Sequence, residues 1–187
     1  EDYSAINAKF RGPEAFRQYQ ASKWGNNRFE GSRKAKKIFA ACQIINNVMK
    51  HATVPEGTVI YRTCGIYELL NYVPKLASMV KRTTANGQNR LLKILIDAIE
   101  ASSSPAFKYP ALLSTTTNSG YNHKRNYQIK CRIVAGKGVN GIYLGEGTGL
   151  SEHENQSEVA FAAQTKVTFV GCRLEGQVMA LDLYLGD

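Results

Sequence analysis

The chain lacks the clustered cysteines and histidines that a zinc site needs. Its four cysteines are widely spaced, without a C-x-x-C pair or a histidine group nearby: Cys42, Cys64, Cys131 and Cys172. A chain of 187 residues with 43% hydrophobic content can bury a core without disulfides. We therefore expect no metal site and four reduced cysteines.

Long hydrophobic runs are also missing. No stretch approaches the roughly 18 apolar residues of a membrane span, and no signal peptide precedes Glu1. Because the first residue is not methionine, we expect a processed form or an excised domain. No internal repeat divides the sequence, so we expect one monomeric domain over 1–187.

Acidic residues are scarce. The chain has 15 of them against 24 lysines and arginines, which gives a formal net charge of +9. This charge predicts an anionic partner: a nucleotide, a nucleic acid, an acidic protein surface or a membrane face. Much of it lies in 33–37, where a solvated helical face is a better interpretation than a nucleic-acid patch.

The order of the apolar patterns predicts helices first and strands afterwards. The helical part covers about 1–55 and includes a strong helix at 32–50 that Ser32 would cap. A strand-rich core covers about 58–185, with helical segments at 67–80 and 88–101. The predicted strands are 58–63, 114–117, 127–134, 142–144, 159–163, 166–170 and 177–184. We therefore expect an α+β fold with a mixed, largely antiparallel core of two sheets.

One motif invites a wrong interpretation. The segment 136–141 matches G-x-G-x-x-G, the fingerprint of dinucleotide-binding folds. That fingerprint works because a helix N-terminus follows it and holds a pyrophosphate. Here an apolar strand follows, so we interpret the segment as a hairpin turn.

Three polar features lie on predicted strands: Arg62, the run Ser114-Thr115-Thr116, and Gln156-Ser157-Glu158. Each one alone is weak. An arginine that ends a strand is usually a surface cation, and Ser-Thr-Thr is common in strands. A glutamate that enters a strand, such as Glu158, is more often a solvated residue than a catalytic one.

Together and in this order, these features resemble the Arg, Ser-Thr-Ser and Gln-x-Glu elements of the R-S-E class of mono-ADP-ribosyltransferases. Gln156-Ser157-Glu158 is similar to the form found in C3-like exoenzymes, and the resemblance covers about 58–185. It implies the ADP-ribosyltransferase fold and the transfer of ADP-ribose from NAD to a target protein, such as a small GTPase or an actin-like protein. It also implies a secreted toxin or effector, delivered by a bacterium or phage, that acts in the target-cell cytosol.

The resemblance also implies roles for these residues. Arg62 would hold the NAD pyrophosphate, because a guanidinium offers a planar fork of donors. Glu158 would stabilise the oxocarbenium-like transition state, and Ser114 would orient its carboxylate. Gln156 would contact the acceptor. The expected NAD-binding set is Arg62, Thr63, Ser114, Thr115, Thr116 and Glu158, and the expected catalytic set is Glu158, Gln156 and Ser114.

Some details depart from the family pattern. C3-like enzymes carry an aromatic residue five positions before the catalytic glutamate, in the loop that recognises the target. This chain has His153 there, which puts a Rho-type GTPase target in doubt. Asn155-Gln156-Ser157 is also an N-glycosylation sequon. A glycan there would obstruct the site, so we expect a bacterial or viral source, or action in a cytosol.

Two other functions stay open at this point. The same fold could use water as the acceptor, which would make the protein an NAD glycohydrolase. A basic nucleic-acid-binding module is the alternative from another class. Its signature is aromatic residues interleaved with cations on a strand, and 127–132 offers only a fragment of it. Binding of NAD would separate the module from both enzymes.

Overall fold

The computed structural model describes residues 3–25, 28–65, 93, 96–97, 100–101, 106–120, 129–144, 157–176 and 178–187. Within these ranges helices come first, as predicted: α1 (Tyr3–Arg11), α2 (Pro13–Trp24) and α3 (Arg28–His51). The strands are β1 (Val59–Cys64), β2 (Ala106–Lys108), β3 (Leu113–Thr116), β4 (Ile129–Ala135), β5 (Gly141–Tyr143), β6 (Glu158–Phe161), β7 (Lys166–Glu175) and β8 (Val178–Leu185). The α+β class is therefore confirmed.

The helix boundaries follow from local sequence. Gly12 has φ 120°, a conformation that favours glycine, and Pro13 starts α2, where its missing N–H costs nothing. In α3 the buried side chains Ile38, Cys42 and Met49 recur at helical spacing. The prediction that Ser32 caps this helix was wrong, because α3 already begins at Arg28.

The strands form one eight-stranded sheet in the order β2-β7-β8-β4-β1-β3-β6-β5. Only β4 and β8 pair in parallel among the described strands, so the largely antiparallel character is confirmed. The expectation of two sheets was wrong. A single register pair, Tyr61 with Thr116, joins β1 to β3 and makes the sheet continuous. This narrow joint lies between the strands that carry Arg62 and Ser114.

Two apolar clusters hold these layers together. The larger one lies on one side of the sheet and includes Ile60, Ile133, Phe161 and Leu181. The smaller one lies between the helices and the β3-β6-β5 end of the sheet, and includes Phe16, Ile38, Met49, Leu112 and Ala160. The helices are thus packed against the strands that begin or end near Ser114 and Glu158.

The segment 136–141 is followed by strand β5 and not by a helix, which agrees with the rejection of a dinucleotide fingerprint. It contains a turn in which Gly138 has φ 71°. It is not a hairpin, however, because β4 pairs with β1 and β8 whereas β5 pairs with β6. The turn instead carries the chain from the middle of the sheet to its edge.

The remaining comparisons of prediction with structure concern two helical segments, strand β2 and membrane spans. The described residues 93, 96–97 and 100–101 are helical, as expected for 88–101, whereas 67–80 lies outside the described residues. Strand β2 was not predicted. It has only three residues, too few for an alternating pattern to stand out. No helix among the described residues is long and apolar enough to span a bilayer.

Two glycine substitutions should shift stability in opposite directions. A Cβ on Gly141 would lie 2.8 Å from Val54 Cγ2 and 3.0 Å from the carbonyl oxygen of Ala160. Gly141→Ala should therefore destabilise the protein by about 1–3 kcal/mol.

Gly31 lies in α3, where the nearest atom to an added Cβ is Trp24 Cε3 at 3.9 Å. Gly31→Ala should stabilise by about 0.5–1 kcal/mol. Urea denaturation of both variants measures the two signs, and a stable Gly141→Ala would contradict the packing at β5.

Candidate active site

The catalytic carboxylate proposed from the sequence stands at the first position of a buried strand. Glu158 opens β6, and its register partner on β3 is Thr116. The preceding Ser157 has φ 46°, a left-handed conformation uncommon for a residue with a side chain. The carbonyl of Ser157 also accepts a hydrogen bond from the N–H of Thr117 at 3.1 Å. The turn before β6 is thus fixed to β3, which sets the point at which Glu158 enters the sheet.

The carboxylate of Glu158 is held by Ser114. Glu158 is only 8% exposed, and Ser114 Oγ donates a hydrogen bond to its Oε1 at 2.5 Å. Hydrogen bonds to an ionised carboxylate are shorter and stronger than those between neutral groups. The bond therefore fixes the orientation of a largely buried carboxylate. The catalytic role that the resemblance implies for Ser114 stays a prediction.

The side chain of Arg62 bonds to the backbone of Ser114. The Nη1 of Arg62 donates a hydrogen bond to the carbonyl oxygen of Ser114 at 2.5 Å. Along β1, Arg62 shares a face with Ile60 and Cys64, whose side chains lie in the larger apolar cluster. Because strand carbonyls point along the plane of the sheet, the guanidinium can bond to β3 from that face. Ser114 is thus linked to both Arg62 and Glu158.

The two threonines of this run make bonds to the backbone. Thr115 Oγ1 donates to the carbonyl oxygen of Val159 at 2.7 Å, and the N–H of Asn118 donates to Thr116 Oγ1 at 3.0 Å. Both threonines are buried. These bonds reinforce the pairing of β3 with β6 and the turn after β3. Contact of Thr115 or Thr116 with NAD stays a prediction.

Thr63, the residue after Arg62, lines a cleft over the face of β1 that carries Tyr61 and Thr63. The cleft has a volume of about 260 Å³, and its walls include Tyr61, Arg62, Thr63, Lys130 and Arg132. Thr63 Oγ1 is buried and has no hydrogen-bond partner among the described residues. Buried polar atoms nearly always have a partner, so the partner of this hydroxyl is a ligand, a water or a residue outside the described ranges.

One residue that positions the site was missed in the sequence. Asn7 on α1 is 8% exposed, and its Oδ1 accepts a hydrogen bond from the N–H of Leu112 at 3.1 Å. This bond ties the first helix to the segment that leads into β3, two residues before Ser114. A polar residue among Ala5, Ile6 and Ala8 was the available signal, since a buried side-chain amide needs a partner.

None of the four cysteines forms a disulfide, and three of them are buried. Burial raises the pKa of the Cys42 thiol, and burial together with Glu100 and Asp97 raises the pKa of the Cys172 thiol. Both thiols therefore resist ionisation and are poor nucleophiles. Within the described ranges, no group of three or more His, Cys, Asp or Glu side chains could hold a metal ion.

Two predicted features lie outside the described residues. Gln156, expected to contact the acceptor, and His153 both belong to the segment 145–156. The structure therefore brings together Arg62, Ser114 and Glu158, places Thr63, Thr115 and Thr116 on the same strands, and gives no position for Gln156.

Comparison with solved structures identifies the fold. The chain is similar to an ADP-ribosyltransferase from Clostridium botulinum, with a TM-score of 0.65 and 13% identity over 98% of this chain and 80% of that one. It is similar to the Clostridium limosum C3 exoenzyme at a TM-score of 0.62 and 14% identity, over 99% and 84% of the two chains. It also resembles C3stau2 from S. aureus, determined with NAD, at a TM-score of 0.61 and 16% identity over 100% and 82%.

Sequence comparison gives no such match. No protein-family profile matches the chain, and no curated protein matches it. The structural likeness extends over nearly the whole chain at identities between 13% and 16% in these three cases. The protein therefore has the ADP-ribosyltransferase fold that the resemblance implied.

Loss of the Asn7 amide should weaken the whole fold. Asn7→Ala leaves the buried N–H of Leu112 without its acceptor, which should lower the free energy of unfolding by about 1–3 kcal/mol. Chemical denaturation measures this change. Asn46→Ala on the exposed side of α3 is the matched control and should change stability by less than about 0.5 kcal/mol. Equal effects in the two variants would show that the bond to Leu112 contributes nothing.

Proposed function

We propose that this protein is a mono-ADP-ribosyltransferase that transfers ADP-ribose from NAD to a side chain of a target protein. The observation that carries this proposal is the linked set at the β3–β6 junction. Ser114 Oγ donates to Glu158 Oε1 at 2.5 Å, and Arg62 donates to the carbonyl oxygen of Ser114 at 2.5 Å. The fold shared with NAD-using transferases adds support, since C3stau2 was determined with NAD.

The carboxylate of Glu158 suits the chemistry at the nicotinamide ribose. Transfer breaks the bond between the ribose C1′ and the nicotinamide nitrogen, and the bonding electrons leave with neutral nicotinamide. Positive charge then develops on the ribose, and a fixed carboxylate close to the ribose hydroxyls stabilises it. Because Ser114 already holds Glu158 in place, little reorganisation is needed as this charge develops.

Arg62 and Thr63 suit the binding of the rest of NAD. A guanidinium pairs with phosphate oxygens through two parallel N–H groups. Thr63 Oγ1, buried in the wall of the cleft, offers a hydroxyl whose hydrogen bond the ligand would supply. The cleft of about 260 Å³ is smaller than most complete ligand pockets, so it would hold only part of the dinucleotide.

Gln156 is the residue that we assign to recognition of the acceptor. In this proposal its side chain binds the acceptor group of the target, whose nucleophilic atom attacks the ribose C1′ and loses a proton. The target protein is a host protein, such as a small GTPase or an actin-like protein. The enzyme is a secreted bacterial or phage effector that acts in the cytosol of the target cell.

Glu158 gives the first test of this proposal. Glu158→Gln keeps the shape of the side chain and an oxygen that can accept from Ser114, but it removes the negative charge. Transfer of ADP-ribose, and release of nicotinamide from NAD, should fall at least about a hundredfold, the scale of one electrostatic transition-state contact. Glu158→Asp should lose a similar factor, because it withdraws the carboxylate by one methylene group.

The measurement is nicotinamide release from NAD, with and without a cell lysate that supplies acceptor proteins. Glu56→Gln, an exposed carboxylate in the turn before β1, is the matched control and should keep the wild-type rate. A wild-type rate in a folded Glu158→Gln protein would refute the catalytic assignment. Activity without any protein acceptor would instead identify an NAD glycohydrolase.

Arg62 gives a second, independent test. Arg62→Lys keeps the charge but loses the planar fork, so the dissociation constant for NAD should rise about tenfold or more. Isothermal titration calorimetry measures this affinity. Arg11→Lys, at the exposed end of α1, should leave it unchanged. If Arg62→Lys binds NAD as tightly as the wild type, Arg62 serves only to hold Ser114.

A further inference from the structure

Helix α3 carries an unusual share of the exposed apolar surface. Among the described residues, the exposed large hydrophobic side chains are Phe39, Ile44, Val48, Tyr143, Val170 and Leu174, and half of them lie on this helix. Ile44 is 65% exposed and Val48 is 47% exposed. Single exposed hydrophobic residues are ordinary on protein surfaces, but two adjacent ones on a single helix face form a patch.

The two aliphatic side chains lie in line with cations. Residues four apart on a helix are neighbours on one face, so Ile44 and Val48 lie one turn apart. Going back along the same line, the chain passes Ala40, Lys37 and Arg33, all of which are exposed. The opposite side of α3 is buried in the smaller apolar cluster through Ala35, Ile38, Cys42 and Met49. The outward face is therefore basic in its first half and aliphatic in its second.

This helix holds most of the excess positive charge of the chain. Its sequence contains six lysines and arginines against one carboxylate, Glu30, so it carries five of the nine net charges. Phe39 is engaged within the protein, since Lys9 Nζ lies 4.1 Å from its ring centroid and Phe16 packs against it. Ile44 and Val48 are thus the apolar side chains that α3 offers to a partner.

We propose that the outward face of α3 docks the protein on an anionic lipid surface. Ile44 and Val48 would enter the interfacial layer, while Arg33, Lys36 and Lys37 face the lipid head groups. Aliphatic residues beside a basic cluster on one helix face are the pattern of proteins that lie on anionic bilayers. This proposal does not rest on the proposed enzymatic function.

The composition of the face favours lipid over the other anionic partners. Two of the three cations that this face presents, Lys36 and Lys37, are lysines, and lysine is depleted in protein–protein interfaces, where arginine and aromatic residues prevail. Binding to nucleic acid relies on phosphate contacts and on aromatic stacking, and outward aliphatic side chains add to neither. A lipid surface uses both the charges and the aliphatic groups, and it needs no fixed geometry from flexible lysines.

The test is sedimentation of the whole protein with vesicles of phosphatidylcholine, alone or mixed with phosphatidylserine. The wild type should bind the mixed vesicles more tightly than the neutral ones, and added salt should weaken this binding. The double variant Lys36→Glu/Lys37→Glu should lose at least about tenfold in affinity for the mixed vesicles. The double variant Ile44→Asn/Val48→Asn should lose about fivefold or more and keep the salt dependence of the remaining binding.

Two matched double variants control for net charge and for exposed apolar area. Lys108→Glu/Lys137→Glu makes the same charge change on exposed residues outside α3, and Val170→Asn/Leu174→Asn removes two exposed aliphatic side chains from β7. Both should bind nearly as well as the wild type. Thermal melting establishes that every variant is folded.

Four results would overturn the proposal. The wild type could fail to distinguish mixed from neutral vesicles. The Lys108→Glu/Lys137→Glu control could lose as much binding as the α3 charge variant, in which case net charge alone is responsible. Wild-type vesicle binding by Ile44→Asn/Val48→Asn, or tighter binding of duplex DNA than of vesicles, would remove the lipid interface.

Discussion

The hydrogen bond from Ser114 to Glu158 is the constraint around which the site is arranged. A carboxylate with 8% exposure needs partners, because removing an ionised group from water is costly unless hydrogen bonds replace the lost solvent. Ser114 supplies such a bond, and its own position depends on the pairing of β3 with β6. Thr115 and Ser157 tighten that pairing through bonds to the backbone. The carboxylate is therefore placed by strand pairing, and its orientation is set by the fold itself.

The link from this pair to Arg62 depends on a narrow part of the sheet. One register pair joins β1 to β3, and the bond from Arg62 to the carbonyl of Ser114 lies at the same joint. The joint is braced from the helical side by Asn7, whose amide holds Leu112. A bond to a backbone carbonyl fixes the strand and leaves the serine hydroxyl for the carboxylate. Ser114 thus bonds to Arg62 through its carbonyl oxygen and to Glu158 through its hydroxyl. Its position is therefore sensitive to movement of either residue.

The sequence was a good guide where local periodicity decides the outcome. The alternation of β4 appears as buried Ile129, Cys131 and Ile133 beside exposed Lys130 and Arg132, and Glu158 opens β6 as its apolar run suggested. The prediction of two sheets failed because one register pair, Tyr61 with Thr116, joins them into one sheet. A single pair between distant strands does not change the periodicity of the sequence. The start of α3 was misplaced for a similar reason. Ser32 suits a cap, but the helix continues through it from Arg28.

Most of the net positive charge lies away from the candidate site. The sequence predicted an anionic partner from its excess of nine positive charges, and a dinucleotide would satisfy that prediction. In the structure, however, five of these charges belong to α3. The cations along the cleft are partly balanced, since Asp182 Oδ1 lies 3.8 Å from Arg132 and Asp182 Oδ2 lies 3.0 Å from Arg173. A charge count therefore detects the basic helix, whereas Arg62, Ser114 and Glu158 are recognisable only by their order in the sequence and by the bonds that join them. Recognition of NAD at this site would then depend on a few fixed donors more than on the overall field of the protein.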